Sequence, residues 1–279
     1  MDKKTVLITG ATGVIGANIA KHFYDSGYRL ILSGRQTEKL NELKNNFGDD
    51  VLICPADVAD IESVKNLFSL IEREIGSLDV VISAAGIYGE IGRLEQVDME
   101  KWEDAFRVNV FGSMYVAKFA IPLLKKSNNA SIILFAGGGE GPLPNFSSYA
   151  SSKGAILRFA ETLAEEVKEY GIKVNAIYPG LVNSGFVKNI IDTGPQRAGR
   201  ESYEQALRQV DGEEKTVTPD RAAQLCIFLA SKKAKGITGK LFAARWDQLD
   251  NIEKHKEDIM NTDIYSSRRI KPYDRGRKW

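Results

Sequence analysis

Short apolar runs, rich in β-branched residues, alternate along this chain with longer stretches in which apolar side chains return every three or four positions. Residues 5–9, 29–33, 51–55, 78–83, 131–136, 172–178 and 239–243 read as strands, and amphipathic helices fill the intervals. Strands that are apolar at nearly every position are buried on both faces. The pattern therefore predicts an α/β protein with a doubly wound parallel sheet, helices on either side, and ligands beyond the carboxyl ends of the strands.

No repeat and no Pro/Gly/Ser-rich linker divides the 279 residues, and a hydrophobic content of 43% supports one large core. The reading is a single domain over 1–246 that includes a polar, weakly periodic substrate loop at 185–218, followed by a basic extension over 247–279. A formal charge of +1 argues against general attraction to nucleic acid. No apolar run reaches membrane-spanning length, so a cytoplasmic protein without a membrane partner is expected. Cys54 and Cys226 lie in apolar stretches without CxxC spacing or clustered His, and read as buried thiols; no metal site is expected.

Two local patterns carry chemistry. Tyr149 and Lys153 are four apart on a helical stretch, which puts phenol and ammonium on one face. A neighbouring ammonium favours phenolate, so the pair is expected to pull the tyrosine toward working pH as a proton donor and acceptor for a carbonyl or alcohol. The second pattern is TGATGVIG, residues 9–16, which follows the first strand and opens the first helix. Gly10 suits a tight turn, Gly13 close approach of a pyrophosphate, and Gly16 close packing of helix on sheet. At the end of the second strand Gly34 stands where an NAD site wants a carboxylate, and Arg35 follows it. That favours NADP, with Arg35 pairing the 2′-phosphate and Ser33 as an extra donor; the alternative is that Arg35 merely opens the next helix as a solvated charge.

These residues, with others in the same order, resemble the short-chain dehydrogenase/reductase family over roughly residues 4–244. Asp57-Val58, Ser83-Ala84-Ala85-Gly86, Asn109 in RVNVFG, YASSK at 149–153 and Pro179-Gly180 carry the likeness. The resemblance implies a Rossmann-like fold and an NADP site made by Gly10, Thr12, Gly13, Val14, Ile15, Gly16, Arg35, Asp57, Val58, Ala84, Ala85, Gly86, Tyr149, Lys153, Pro179, Gly180 and Val182. It implies Tyr149 as general acid/base, Lys153 as its activator and a donor to the nicotinamide ribose, and Asn109 as holder of a relaying water. Asn109 could instead be a satisfied buried amide and Lys153 an exposed cation. Asn183 and Ser184 could reach the nicotinamide carboxamide or be loop polars. A homodimer or homotetramer acting on a small, possibly anionic substrate is the family expectation.

The chain departs from the family at two places. Its glycine spacing is GxxGxxG, more usual in the extended, sugar-nucleotide branch. Thirteen residues before Tyr149, where the family carries a catalytic serine, stands Ala136, followed by Gly137, Gly138 and Gly139. Ser147 or Ser148 could substitute, or the glycine amides could; both serines could equally cap the tyrosine helix. The last sixteen residues carry six basic side chains against one acid, read either as a solvated tail or as a phosphate-binding arm using Arg268, Arg269 or Arg275. Trp246, Tyr265, Tyr273 and Trp279 weigh against a wholly disordered segment. Likeness to enzymes of bacterial surface-carbohydrate pathways suggests a sugar or sugar-nucleotide substrate. The expected activity is interconversion of a secondary alcohol and a ketone; a non-redox dehydratase or epimerase and a non-catalytic NADP sensor or scaffold are the alternatives.

Overall fold

The computed structural model describes residues 3–48, 50–138, 141–214 and 216–277; Gly139 and Trp279 lie outside them. In chain order the elements are β1 (Thr5–Thr9), α1 (Val14–Asp25), β2 (Arg29–Gly34), α2 (Thr37–Lys44), β3 (Val51–Pro55), α3 (Ile61–Glu74) and β4 (Val80–Ser83). Then come α4 (Met99–Ala105), a π-helical turn (Phe106–Phe111), α5 (Gly112–Leu124), β5 (Ser131–Phe135), α6 (Ser147–Glu166) and β6 (Lys173–Tyr178). The chain continues through α7 (Gly185–Thr193), α8 (Pro195–Ala198), α9 (Arg200–Val210), α10 (Pro219–Ala230), β7 (Lys240–Ala243), α11 (Leu249–Lys254), α12 (Lys256–Asn261) and a 3₁₀ turn (Pro272–Arg275).

The strands form one parallel sheet in the order β3-β2-β1-β4-β5-β6-β7. Alternate residues of each strand feed opposite cores. Val6, Ile8, Leu30, Leu32, Val80 and Ile82 pack under α1 and α10, whereas Leu7, Ile31, Val81, Ile132 and Leu134 pack under α3, α5 and α6. Each such Leu or Ile contributes about 1.5–3 kcal/mol on burial, which is why every strand had to be apolar on both sides. The sheet order reverses between β1 and β4, and the crevice beyond their carboxyl ends is where such a sheet binds ligands.

The expected substrate loop and the C-terminal extension both carry ordered structure. Most of segment 185–218 is not a loop: residues 185–210 fold as α7, α8 and α9, parted by Gly194 (φ 80°) and Gly199 (φ 85°). Those glycines break the periodicity in the sequence while allowing left-handed turns between helices. The extension over 247–277 is also packed. Ile252 of α11 and Ile259 of α12 enter the core beneath α10, and the Tyr265 ring lies 4.8 Å from that of Phe242. Beyond α12 the chain covers the outer edge of β7: Leu241 N donates to Tyr265 O (2.8 Å), and Lys240 Nζ donates to Thr262 O (2.7 Å) and Ile264 O (3.0 Å). A backbone edge left open would invite pairing with other chains.

Candidate active site

The turn after β1 is tight because glycine permits it. Gly10 has φ 67°, and a β-carbon there would stand 2.7 Å from Ala85 Cα; one on Gly16 would stand 2.2 Å from Gly10 O. Gly13, by contrast, has only Gly10 O at 3.4 Å and borders a cavity of about 360 Å³. It is the N-cap of α1, with no side-chain cap and no acid in the first turn. The helix thus presents unopposed amides and the positive end of its dipole to that cavity, a ready anion site.

Thr12, Val14, Ile15 and Gly16 border the same cavity, as do Arg35, Asp57, Val58, Ala84, Ala85 and Gly86. Arg35 is exposed at its rim and makes no hydrogen bond or ion pair among the described residues. Asp57 is partly engaged, its Oδ1 accepting from Ala59 N at 3.0 Å. Ser33 does not serve as expected: it is fully buried and lines neither cavity. The donor set of uncapped helix amides, a side-chain-free turn and an unpaired guanidinium fits a dinucleotide carrying an additional phosphate.

A second cavity, of about 400 Å³, adjoins the first and shares Ile15, Ala84, Gly86, Ser184 and Phe186 with it. Tyr149 and Lys153 of α6 line it, together with Ala136, Gly137 and Gly138 after β5 and Pro179, Gly180 and Val182 after β6. Lys153 is buried and its Nζ donates to Phe135 O at 2.7 Å. Desolvation lowers its pKa to about 8. The Tyr149 ring is gripped by Tyr88 (centroids 4.7 Å apart, edge to face) and Phe186 (5.9 Å).

The expected depression of the tyrosine is absent. Burial, reinforced by Tyr88 and Tyr178, holds the Tyr149 phenol above its ordinary range. Lys153 Nζ lies 5.8 Å from the Tyr149 ring centroid and its hydrogen bond goes to Phe135 O, so desolvation of the phenol prevails. Asn109, fully buried in the π-helical turn, lines neither cavity. Its Oδ1 accepts from Ile87 N and its Nδ2 donates to Ile87 O and Ser152 Oγ, each at 2.9 Å. A β-carbon on Gly86 would meet both Asn109 Oδ1 (3.2 Å) and Lys153 Nζ (3.4 Å), so the three converge behind that glycine.

Neither candidate serine replaces the missing hydroxyl. Ser147 Oγ accepts from Trp102 Nε1 (2.9 Å), and Ser148 Oγ donates to Tyr88 O (2.9 Å), anchoring the loop that carries Tyr88. Nor do they cap α6, whose N-cap is Phe146. Ser184 borders both cavities, but Asn183 borders neither. The tail arginines stand elsewhere: Arg268 pairs with Asp263 and with Asp274 (2.6 Å), and Arg268, Arg269 and Arg275 line neither cavity. The arginine that does line the second cavity is Arg245, its guanidinium 4.5 Å from the Trp246 ring centroid.

Tyr88, Phe146, Phe186, Gln205, Gln209 and Arg245 are cavity residues that sequence reading missed. Tyr88 alone had a usable signal, standing two residues after the Ala84-Ala85-Gly86 turn.

A family model described as short chain dehydrogenase matches residues 4–194, most of the chain. The chain belongs to the short-chain dehydrogenase family. Its chemistry is accordingly that of an oxidoreductase. Among its relatives, this short-chain dehydrogenase is 34% identical over 186 residues to 11-beta-hydroxysteroid dehydrogenase-like 3 of Arabidopsis thaliana, an alignment covering 65% of the chain and 60% of that protein. Among solved structures it is similar to ElxO with NADP bound, at 26% identity and a TM-score of 0.75, over 87% of this chain and 97% of that one. It is likewise similar to the aldohexose dehydrogenase of Thermoplasma acidophilum, at 26% identity and a TM-score of 0.73, over 86% and 92%.

Proposed function

We propose that the protein is an NADP-dependent oxidoreductase that interconverts a secondary alcohol and a ketone on a sugar or sugar-nucleotide substrate. The observation that carries this reading is the placement of Tyr149 and Lys153 on the wall of a cavity continuous with the uncapped end of α1 and the unpaired Arg35. The NADP-bound relative supports the cofactor, and the aldohexose dehydrogenase supports a carbohydrate.

The nicotinamide, when bound, supplies or takes the hydride. The chain's own residues manage the proton. A phenol held above its ordinary range stays protonated at neutral pH, which is the form that gives a proton to a carbonyl oxygen. Tyr149 in its resting state is therefore set for reduction. Lys153, a cation below about pH 8, offers an ammonium beside Gly86, where a cofactor ribose would contact it, and Asn109, on the same side of that glycine, fixes the backbone at Ile87. The oxygen left without a serine faces Ala136, Gly137 and Gly138, and the glycine amides are the donors at hand.

Arg245 suits an anionic group on the substrate better than the tail does, because it lines the cavity and makes no ion pair among the described residues. Among the described residues no helix is long and apolar enough to cross a membrane, which is compatible with a cytoplasmic enzyme. A screen of sugar phosphates and sugar nucleotides with NADPH, following absorbance and product mass, tests the activity. Loss of NADPH with a two-hydrogen mass gain supports it, whereas mass change without cofactor oxidation points to dehydration and refutes it.

A further inference from the structure

We infer that Gln209 of α9 reads a hydroxyl group of the substrate and makes the site selective for ring ketones and alcohols that carry further hydroxyls. Gln209 is only 5% exposed, lines the cavity of Tyr149, and its Oε1 is buried with no hydrogen-bond partner. A carbonyl oxygen stranded in this way is unfavourable relative to a paired one. A donor inside the cavity removes that cost once the amide turns to present its oxygen there.

The surroundings narrow what the donor is attached to. Ser202 and Gln205 precede Gln209 by seven and four residues, share its helix face and border the same cavity, and their side chains make no hydrogen bond among the described residues. Tyr88, Phe146 and Phe186 supply an apolar aromatic wall to that cavity. A chamber of about 400 Å³ with one aromatic wall and one stripe of unpaired amide and hydroxyl groups matches a single ring that has an apolar face and a hydroxylated edge. A site built to pair with a hydroxyl rejects the analogue lacking it far more strongly than an apolar pocket discriminates a methylene.

The inference rests on the proposed oxidoreductase only for its second measurement. Calorimetry on protein saturated with NADPH, titrated with myo-inositol and with cyclohexanol, reads binding without turnover. Wild type is expected to bind the polyol more tightly. Gln209→Leu and Gln209→Met should each weaken myo-inositol at least about tenfold, leave cyclohexanol unchanged, and melt no lower than wild type because a stranded amide has been removed. In steady state with 2-keto-myo-inositol and cyclohexanone, the rise in KM should be confined to the hydroxylated ketone. Equal weakening of both ligands, no polyol preference in wild type, or lower melting in both variants would overturn the inference. Turnover of both ketones indifferent to residue 209 would refute Gln209 while sparing the oxidoreductase. Gln209-dependent polyol binding without turnover of either ketone would do the reverse.

Discussion

A β-carbon at position 137 would stand 2.3 Å from the hydroxyl oxygen of Tyr149 and 3.0 Å from its Cζ. The phenol therefore occupies the space that any side chain at 137 would need, and it cannot step aside freely because Tyr88 and Phe186 hold its ring. Gly137→Ala should lower kcat by about a hundredfold, the usual cost of misplacing a reacting group by an ångström, with cofactor affinity kept. Gly141→Ala, with nothing within 4 Å, is the control and should leave kinetics unchanged. Equal kinetics for the two variants would mean that Tyr149 is not the group that matters.

Tyr149→Phe should cost about 10²–10⁴ in kcat and leave the dissociation constant for NADPH, read by fluorescence titration, within about twofold. Restoring the family's serine through Ala136→Ser should raise turnover of a simple ketone if a hydroxyl is what the oxygen lacks. A slower variant would show that the glycine amides already fill that role.

Arg35→Ala should weaken NADPH by about tenfold or more, the worth of a charge-assisted hydrogen bond, and leave NADH unaffected. Equal affinities for the two cofactors in the wild type would assign Arg35 to solvent.

Two buried lysines set the pH dependence. Lys153 loses its proton near pH 8, so the rate of reduction should fall as pH rises through that value, and Lys153→Met should abolish both rate and inflection. Lys173, whose Nζ donates to Leu229 O (2.8 Å) and Ser231 O (3.0 Å), is likewise lowered to about 8 by burial and by Lys4, but it lies far from the chemistry. The unfolded chain keeps this proton up to about 10.5. Between 8 and 10.5 it binds more protons than the folded one, and stability rises with pH. Chemical denaturation at several pH values should show wild type gaining on Lys173→Met across that window, by at most about 1.4 kcal/mol per pH unit. A flat difference would contradict the shift.

Truncation after Asn261 should lower the melting temperature and promote aggregation, because it removes the backbone partner of Leu241 and the carbonyls that hold Lys240. Alanine at Arg268, Arg269 and Arg275 together should leave KM unchanged for anionic substrates, since none of the three reaches either cavity. A raised KM in that triple variant would restore the phosphate arm.

The sheet was legible because each strand announces itself: Thr5–Thr9 is buried at all five positions, and the glycine turn that follows is fixed by backbone contacts only glycine allows. What escaped depends on distant partners. The segment holding α7–α9 read as a loop because Gly194 and Gly199 interrupt a real periodicity. Ser147 and Ser148 read as spare hydroxyls because Trp102 and Tyr88, their partners, lie some 45 and 60 residues away. Proximity of Lys153 suggested an acidic phenol, but the burial that outweighs it is a property of the packed molecule.

Ser184 and Phe186, at the start of α7, border both cavities at once. Should filling either cavity order this shared wall, the second ligand would meet a surface already ordered and bind with less entropy to lose. The two affinities are then coupled, each ligand tightening the other by the same factor. Substituting Phe186 should loosen that mutual dependence even where neither contact with the reacting atoms is touched, so that each ligand would bind with the same affinity whether or not the other is present.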